Sequence, residues 1–310
     1  MKTIGRSLKE IIATLGDRAL VNEPMALHTS FRIGGSADLY AVATSTQELV
    51  ELVSLARKHD IPYLIIGRGT NILVADRGIR GLVIENGLQD MRFEDDTVLY
   101  AESGALLRDL ALESAWRGLG GLEWAVGIPG SVGGAIVGNA GAYGGYISDV
   151  VRKVTVLSAD GTMRQLTAKE IGFGYRTSRF KRQGTRDKGQ GVILSAEFAL
   201  HLEPTEVLLE RMADYTCRRE ATQPMEPSGG SVFKRTEQYP AGFLIEQAGL
   251  KGVRIGGAQI SPKHANFIVN LGGARAADVK ALIDLAQERV REQFGLELEL
   301  EIELIGEWNG

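Results

Sequence analysis

The segment Gly127-Ile128-Pro129-Gly130-Ser131-Val132-Gly133-Gly134-Ala135-Ile136-Val137-Gly138-Asn139-Ala140-Gly141-Ala142-Tyr143-Gly144-Gly145 carries eight glycines and no charged side chain. No ordinary helix or strand is written this way, because glycine loses the most backbone entropy on folding. Such a run is warranted where the chain needs positive φ or where something must lie against bare backbone. Ala135, Ile136, Val137, Ala140 and Ala142 are too few and too short to build a core alone. A ligand with flat apolar parts and phosphates suits the surface, since successive N–H groups in a turn form an anion-binding nest. Flexible linkers favour Ser, Pro and charge over Ile and Val. Residues 127–145 are therefore expected to form a ligand cradle.

Immediately upstream, residues 83–85 and 98–102 read as strands, and Leu106, Leu107, Leu110 and Ala111 mark a helix that Gly118 ends. Downstream, residues 151–157 and 163–166 flank Asp160-Gly161, a strong hairpin signal. Residues 173–182 alternate aromatic and basic side chains, and a solvated basic loop is the default reading. Residues 192–199 form another strand.

Further toward the N-terminus, Ile4, Leu8, Ile11, Ile12 and Leu15 share one helical face. The polar turn of residues 28–35 precedes a strand at 37–43. Ser45 and Glu48 begin a capped helix with Leu49, Leu52, Val53 and Ala56 on one side. After Pro62, a short strand at 63–66 runs into Gly67-Arg68-Gly69-Thr70-Asn71 and on to Ile72-Leu73-Val74. This is not the dinucleotide fingerprint, for which a third glycine and a following helix are required. A phosphate-facing turn and a plain β-turn both remain open there.

Toward the C-terminus, Pro204-Thr205 opens a helix through Leu208, Met212 and Tyr215 toward Arg219. Residues 222–240 read as a loop centred on Ser228-Gly229-Gly230-Ser231-Val232-Phe233-Lys234. Ser231 there has an adaptable hydroxyl, although such serines usually cap or solvate turns. A short helix at 243–248, strands at 255–260 and 267–269, and a helix with Val279, Leu282, Ile283, Ala286 and Val290 buried follow, the last capped by Gly295. Residues 296–304 alternate strictly, with leucine and isoleucine on one side and Glu297, Glu299, Glu301 and Glu303 on the other. Periodicity makes these four solvated glutamates and singles out none.

A chain of 310 residues exceeds what one core usually supports, so two or three subdomains are expected. Hydrophobic content of 44% and charge of 24% are those of an ordinary globular protein. The net charge of -4 argues against a nucleic-acid partner. The one cysteine, Cys217, excludes an internal disulfide and a cysteine zinc site, and reads as inert packing in a reducing compartment. The amphipathic start is no signal sequence, and no apolar run approaches a membrane span, so a cytoplasmic location is expected. His28, His59, His201 and His264 form no metal-binding pair, and neither a serine-hydrolase elbow nor a fixed repeat is present.

Several segments, in order along nearly the whole chain, together resemble the UDP-N-acetylenolpyruvoylglucosamine reductases, flavoproteins of peptidoglycan synthesis. They are His28-Thr29-Ser30-Phe31-Arg32-Ile33-Gly34-Gly35, Ile66-Gly67-Arg68-Gly69-Thr70-Asn71-Ile72-Leu73, Gly127-Ile128-Pro129-Gly130-Ser131-Val132-Gly133-Gly134, Gly174-Tyr175-Arg176-Thr177-Ser178, Gly230-Ser231-Val232-Phe233-Lys234 and Gly249-Leu250-Lys251-Gly252. The stretch between Arg176 and Ser231 is too short for the family's extra tyrosine-bearing loop, so the chain resembles the shorter branch. The resemblance implies an α+β fold of three subdomains. Two form an FAD-binding unit of the vanillyl-alcohol-oxidase-like type, at residues 1–80, with the C-terminal strand 303–310, and at 81–202. A third, α/β subdomain at 203–302 binds substrate. FAD contacts implied are Gly67, Arg68, Gly69, Thr70, Asn71, Ile72, Leu73, Gly127, Ile128, Pro129, Gly130, Gly133, Gly134, Ala135, Gly138, Asn139, Gly141, Ala142, Tyr143 and Ile193.

The resemblance also implies a reaction in which NADPH reduces FAD, leaves, and is replaced by the enolpyruvyl ether of a UDP-sugar. Hydride reaching the terminal vinyl carbon leaves an enolate-like state on the neighbouring carbon and carboxylate, which needs fixed electrostatic support. Arg176 is the implied partner of that carboxylate. Ser231 is the implied proton donor to carbon, and Glu301 assists the enolate as a neutral acid or relays the proton. Lys234 and Arg235 are implied to meet the substrate phosphates. No metal, nucleic acid or membrane is expected, and a monomer is the expected state. Two readings compete: another FAD oxidoreductase with a similar cradle, and a nucleotide-binding protein that does no chemistry.

Overall fold

The computed structural model describes residues 6–181 and 191–308. Ile4 of the N-terminal helix, Arg182 of the basic loop and the last two residues of the expected strand 303–310 lie outside them. The described chain mixes helices with mainly antiparallel sheets, the expected α+β class. It divides into two compact units: one holds the residues up to Leu20, Tyr40–Gly67 and Gly81–Arg219, the other Val21–Leu39, Arg68–Arg80 and the residues from Glu220 onward.

The first unit is built on an antiparallel sheet in the strand order Met163–Thr167, Val151–Leu157, Val192–Ala199, Val98–Glu102, Met91–Phe93. Val192–Ala199 is central and buried along all but its last residue, in keeping with six apolar residues among its eight, and it buries Ser195 and Glu197 as well. The Asp160-Gly161 hairpin forms as its sequence demands, with Leu157 opposite Met163 and Gly161 at φ 81°. Helix Leu107–Trp116 lays Leu107, Leu110 and Ala111 into a core that also holds Trp124, Ile136 and Phe198. Each buried leucine, isoleucine or phenylalanine there contributes about 1.5–3 kcal/mol by leaving water. Helix Thr46–Lys58 starts where Ser45 caps the Glu48 N–H, although the Glu48 carboxylate reaches back to Thr44 N–H and not to Ser45.

The glycine-rich segment contains a helix, Val132–Gly138, which its composition did not suggest. Its ends explain it. Ser131 Oγ accepts the Gly134 N–H at 3.4 Å, the Val132 and Gly133 N–H groups donate to the Ala105 and Ser103 carbonyls at 2.9 and 2.7 Å, and Asn139 closes the helix in the left-handed region at φ 43°. The first-turn donors, natural candidates for an anion nest, are thus taken by protein.

The second unit carries an antiparallel sheet in the order Ser228–Ser231, Phe267–Asn270, Ala258–Ile260, Arg254–Ile255. Ser228–Ser231 is therefore a strand where a loop was expected, because its edge pairs with Phe267–Asn270 far along the chain. Helix Ala276–Phe294 packs Val279, Leu282, Ile283, Ala286 and Val290 into this unit's core and ends at Gly295, φ 66°. Its first N–H groups, of Ala276 and Ala277, donate to the Asp76 carboxylate at 2.8 and 3.0 Å. The long alternating strand expected at 296–304 is only Glu303–Ile305, paired in parallel with Ile72–Val74. Cys217, read as packing, is exposed.

Candidate functional site

Within the first unit, the glycine-rich segment is fixed by its neighbours on three sides. Ser103 N–H donates to Leu194 carbonyl at 2.9 Å while its own carbonyl receives Gly133, so strand Val192–Ala199, with Ile193 on it, is tied to the helix start. Gly130 carbonyl accepts the Leu107 N–H at 3.1 Å. Gly67, at the end of strand Tyr63–Ile66, lies so close to the segment that a Cβ there would stand 2.2 Å from Ser131 Oγ. Gly141 and Gly145 are likewise filled by protein, the Tyr146 and Trp124 rings occupying the space a Cβ would need, and at Gly133 a Cβ would stand a tight 3.1 Å from Ser103 carbonyl. From Gly138 and Gly144, by contrast, a Cβ would meet nothing within 4 Å, and Tyr143 beside Gly144 is exposed. Ile128, Ala135 and Ala142 pack on the core, and Pro129 follows the turn at Val126 and Gly127.

Asn139 does more than end the helix. Its Nδ2 donates to Gly174 carbonyl at 3.0 Å and its Oδ1 accepts the Ser148 N–H at 3.1 Å. Gly174 and Thr177 exchange N–H to carbonyl bonds at 3.0 and 3.3 Å, and Ser178 Oγ donates to Val137 carbonyl at 2.8 Å. Arg176 sits at the tip of this clamped turn, half-buried and at φ 51°. A residue of a freely solvated basic loop does not hold a left-handed backbone between such anchors; that conformation persists only where the surroundings determine it. The loop reading of this stretch therefore fails at Arg176, and also at the buried Ser178 and Phe180.

The second unit holds Arg68, Gly69, Thr70, Asn71, Ile72 and Leu73 together with Ser231, Lys234, Arg235 and Glu301. Gly69, φ 59°, has no room for a side chain because a Cβ would lie 2.1 Å from His28 carbonyl, and Ser30 N–H donates to its carbonyl at 3.1 Å. Ser30 Oγ donates to Ser228 carbonyl at 2.6 Å, and the buried Phe31 ring fills the place of a Gly229 side chain. The turn at 28–35 thus supports the strand that ends in Ser231. Leu73 is buried, Arg68 and Asn71 are exposed, and Thr70 and Ile72 are half-buried.

The backbone places Glu301 beside Val232, the residue after Ser231. Glu301 N–H donates to Val232 carbonyl at 2.8 Å, and the Lys234 N–H donates to Glu299 carbonyl at 2.8 Å. Asn71 holds the same segment, its Nδ2 donating to Glu301 carbonyl at 3.1 Å and its carbonyl accepting the Glu303 N–H at 2.9 Å. Glu301 and Glu303 are in consequence half-buried, while Glu297 and Glu299 remain exposed, so the four glutamates are not equivalent. The Lys234 ammonium pairs with the Glu299 carboxylate, and Arg235 is exposed.

Asn266 was not singled out by sequence, yet it fixes the segment that follows Ser231. Its Oδ1 accepts the Phe233 N–H at 3.0 Å, its Nδ2 donates to Phe233 carbonyl at 2.8 Å, and its own carbonyl accepts the Val232 N–H at 2.8 Å. The sequence signal was an asparagine at each end of the apolar run 267–269, since Asn270 Nδ2 in turn donates to Phe31 carbonyl at 2.9 Å. Among the described residues no group of three or more His, Cys, Asp or Glu side chains could hold a metal ion. No described helix is long and apolar enough to cross a membrane.

Two family models match the chain: an FAD binding domain over residues 37–167 and the C-terminal domain of UDP-N-acetylenolpyruvoylglucosamine reductase over residues 223–305. The chain is 45% identical over 295 residues to UDP-N-acetylenolpyruvoylglucosamine reductase of Clostridium botulinum strain 657, covering 94% of each chain. To the enzyme of that name from Agathobacter rectalis it is 44% identical, covering 99% of each. The crystal structure of UDP-N-acetylenolpyruvylglucosamine reductase from Thermus caldophilus is similar at 36% identity and a TM-score of 0.77, over 93% of this chain and 98% of that one. With this likeness running almost end to end, the chain belongs to the UDP-N-acetylenolpyruvoylglucosamine reductase family.

Proposed function

We propose that this chain reduces UDP-N-acetylglucosamine enolpyruvate to UDP-N-acetylmuramate, a step of peptidoglycan precursor synthesis, with FAD and NADPH as cofactors. The observation that carries the reading is the 2.8 Å bond from Glu301 N–H to Val232 carbonyl, which fixes the Glu301 backbone beside the residue that follows Ser231. Family membership supports it, as does the FAD binding domain match. The residues present fit FAD: Gly138 and Gly144 offer bare backbone to open space in a segment without charge.

Gly127, Ile128, Pro129, Gly130, Gly133, Gly134, Ala135, Gly138, Asn139, Gly141, Ala142, Tyr143 and Ile193 would contact the cofactor, as would residues 67–73. When bound, FAD supplies the hydride. The reaction then needs charge stabilisation and a proton, and both fall to this chain's side chains. Arg176 grips the substrate carboxylate through two parallel bonds, and its clamped turn presents the guanidinium without reorganisation. Ser231 delivers the proton to the enolate carbon, and Glu301 stabilises the enolate or relays that proton. Lys234, released from Glu299, and Arg235 hold the diphosphate. Residues 203–302 form the substrate-binding part, and the enzyme acts in the cytoplasm as a monomer.

Anaerobic NADPH consumption tests the reading. Oxidation of stoichiometric NADPH is expected on adding the enolpyruvyl sugar nucleotide, and none on adding UDP-N-acetylglucosamine. A chain that binds FAD but ignores the enolpyruvyl substrate is not this enzyme.

A further inference from the structure

Gly141–Ala142 and Gly145–Tyr146 pair antiparallel with Ala142 opposite Gly145, so Tyr143 and Gly144 form a two-residue hairpin loop. Both have positive φ, 53° at Tyr143 and 90° at Gly144, the signature of a type I′ turn. Glycine suits the second place. The first favours Asn, Asp or Gly, and a bulky side chain in the left-handed region persists only where its surroundings determine it. Strands of two residues each are too short to impose that conformation. Gly145 rests on the Trp124 ring, which fixes the base of the hairpin but not its tyrosine.

What determines Tyr143 is Tyr215 of helix Thr205–Thr222. The two rings are parallel to within 2° with centroids 4.3 Å apart, and the Tyr143 hydroxyl donates to Tyr215 carbonyl at 3.0 Å. Ring and hydroxyl are thus both held by one residue 72 positions away. The helix does not depend on this contact for its own place. One turn earlier Arg211 pairs with Glu123 at 2.6 Å and with Glu203 at 2.7 Å, and Leu208 and Met212 are buried in the core. Tyr215 is accordingly a fixed backing for the Tyr143 ring, which remains 39% exposed. An exposed ring already held in place can meet another flat ring without losing rotamer freedom on binding. Tyr143 belongs to the cradle assigned to FAD.

We infer that Tyr215 is a positioning residue for FAD binding, acting not by contact with the cofactor but by holding the Tyr143 ring in the left-handed hairpin, ready for a flat ring of FAD. The inference rests on the assignment of Tyr143 to the cofactor cradle. Its test is a double-mutant cycle on apoprotein titrated with FAD and read by quenching of flavin fluorescence, at a temperature where melting curves show every variant folded. Tyr215→Leu is expected to weaken FAD about fivefold to tenfold, the span of one aromatic pair. Tyr215→Phe keeps the ring and the backbone carbonyl and should stay within about twofold of the parent. Tyr143→Gly, which accepts positive φ without a ring, weakens FAD by itself, and in that background Tyr215→Leu has no further effect. Equal weakening by Tyr215→Leu in both backgrounds overturns the inference, because the helix then acts by another route, and so does parent affinity in Tyr215→Leu. In both outcomes the cradle and the reductase reading stand. Unchanged FAD affinity in Tyr143→Gly overturns the assignment of Tyr143 and the inference with it, and leaves the reductase reading in place; a parent that takes up no FAD overturns all three.

Discussion

Asn266→Ala is the sharpest structural test of how Ser231 is held. The side chain is 7% exposed and satisfies both backbone groups of Phe233, which is itself 2% exposed. Alanine leaves one buried N–H and one buried carbonyl without partners. Each costs about 1–3 kcal/mol, so about 2–6 kcal/mol in total, against about 5–15 kcal/mol for the stability of a typical domain. The expected result is a urea midpoint far below that of the parent at an unchanged slope, measured at fixed FAD concentration. Asn266→Asp keeps the acceptor for Phe233 N–H but turns a carboxylate toward Phe233 carbonyl, and is expected to be no better than alanine. In whatever Asn266→Ala remains folded, flavin reduction by NADPH stays near normal while reoxidation by the enolpyruvyl substrate slows, since only the Ser231 strand has lost its anchor. The rival support is the pairing of Ser231 with Phe267 in the sheet. If that pairing suffices, Asn266→Ala loses less than about 1 kcal/mol and both half-reactions keep their rates, and the anchoring argument is refuted.

Ser231→Ala should leave reduction by NADPH near normal and slow reoxidation by substrate about a hundredfold or more, with Ser231→Cys recovering part of the loss; stopped-flow of each half decides, and equal slowing of both removes Ser231 from catalysis. Arg176→Lys should lower kcat about a hundredfold to a thousandfold, because an ammonium cannot make the planar two-bond grip; steady-state turnover within a few-fold of the parent contradicts the assignment. Asp278 is held below its ordinary pKa chiefly by the Arg275 N–H, with help from the Gly257 N–H. A depressed carboxyl pKa stabilises the fold above the unfolded value of about 3.9 and loses that contribution as pH falls through the folded value. Acid titration of stability should accordingly show a loss beginning near pH 4 that is reduced in Asp278→Asn, and identical curves for the two proteins would exclude this contribution.

What the sequence disclosed was set by range. The Asp160-Gly161 hairpin, the Ser45-capped helix and the apolar faces of the helices are local patterns, and each appears in the structure where the residues place it. The alternating glutamates show the limit. Period-two spacing cannot separate Glu301 from Glu299, because what buries Glu301 is contact with Val232 and with Asn71, the latter 230 residues away. The strand at Ser228–Ser231 was hidden for the same reason: its glycines speak against a strand, and its partner strand Phe267–Asn270 overrides them.

The glycines carry this point furthest, because composition announced that something lies against bare backbone but could not say what. At Gly229 it is the Phe31 ring, at Gly69 the His28 carbonyl and at Gly67 the Ser131 hydroxyl, so these glycines are packing devices of the protein itself. Gly138 differs: it closes a helix, its φ is not positive, and a Cβ there meets nothing within 4 Å. Alanine at Gly138 should therefore leave the apoprotein as stable as the parent or more stable by about 0.4–1 kcal/mol, through the lower entropy of the unfolded chain. Gly229→Ala must move Phe31 and should lower stability whether or not FAD is bound. Weaker FAD binding in Gly138→Ala, without a lower apoprotein melting temperature, means that the space over Gly138 belongs to the cofactor. Unchanged FAD affinity there would return Gly138 to the scaffold and shrink the cradle to the residues around Gly144.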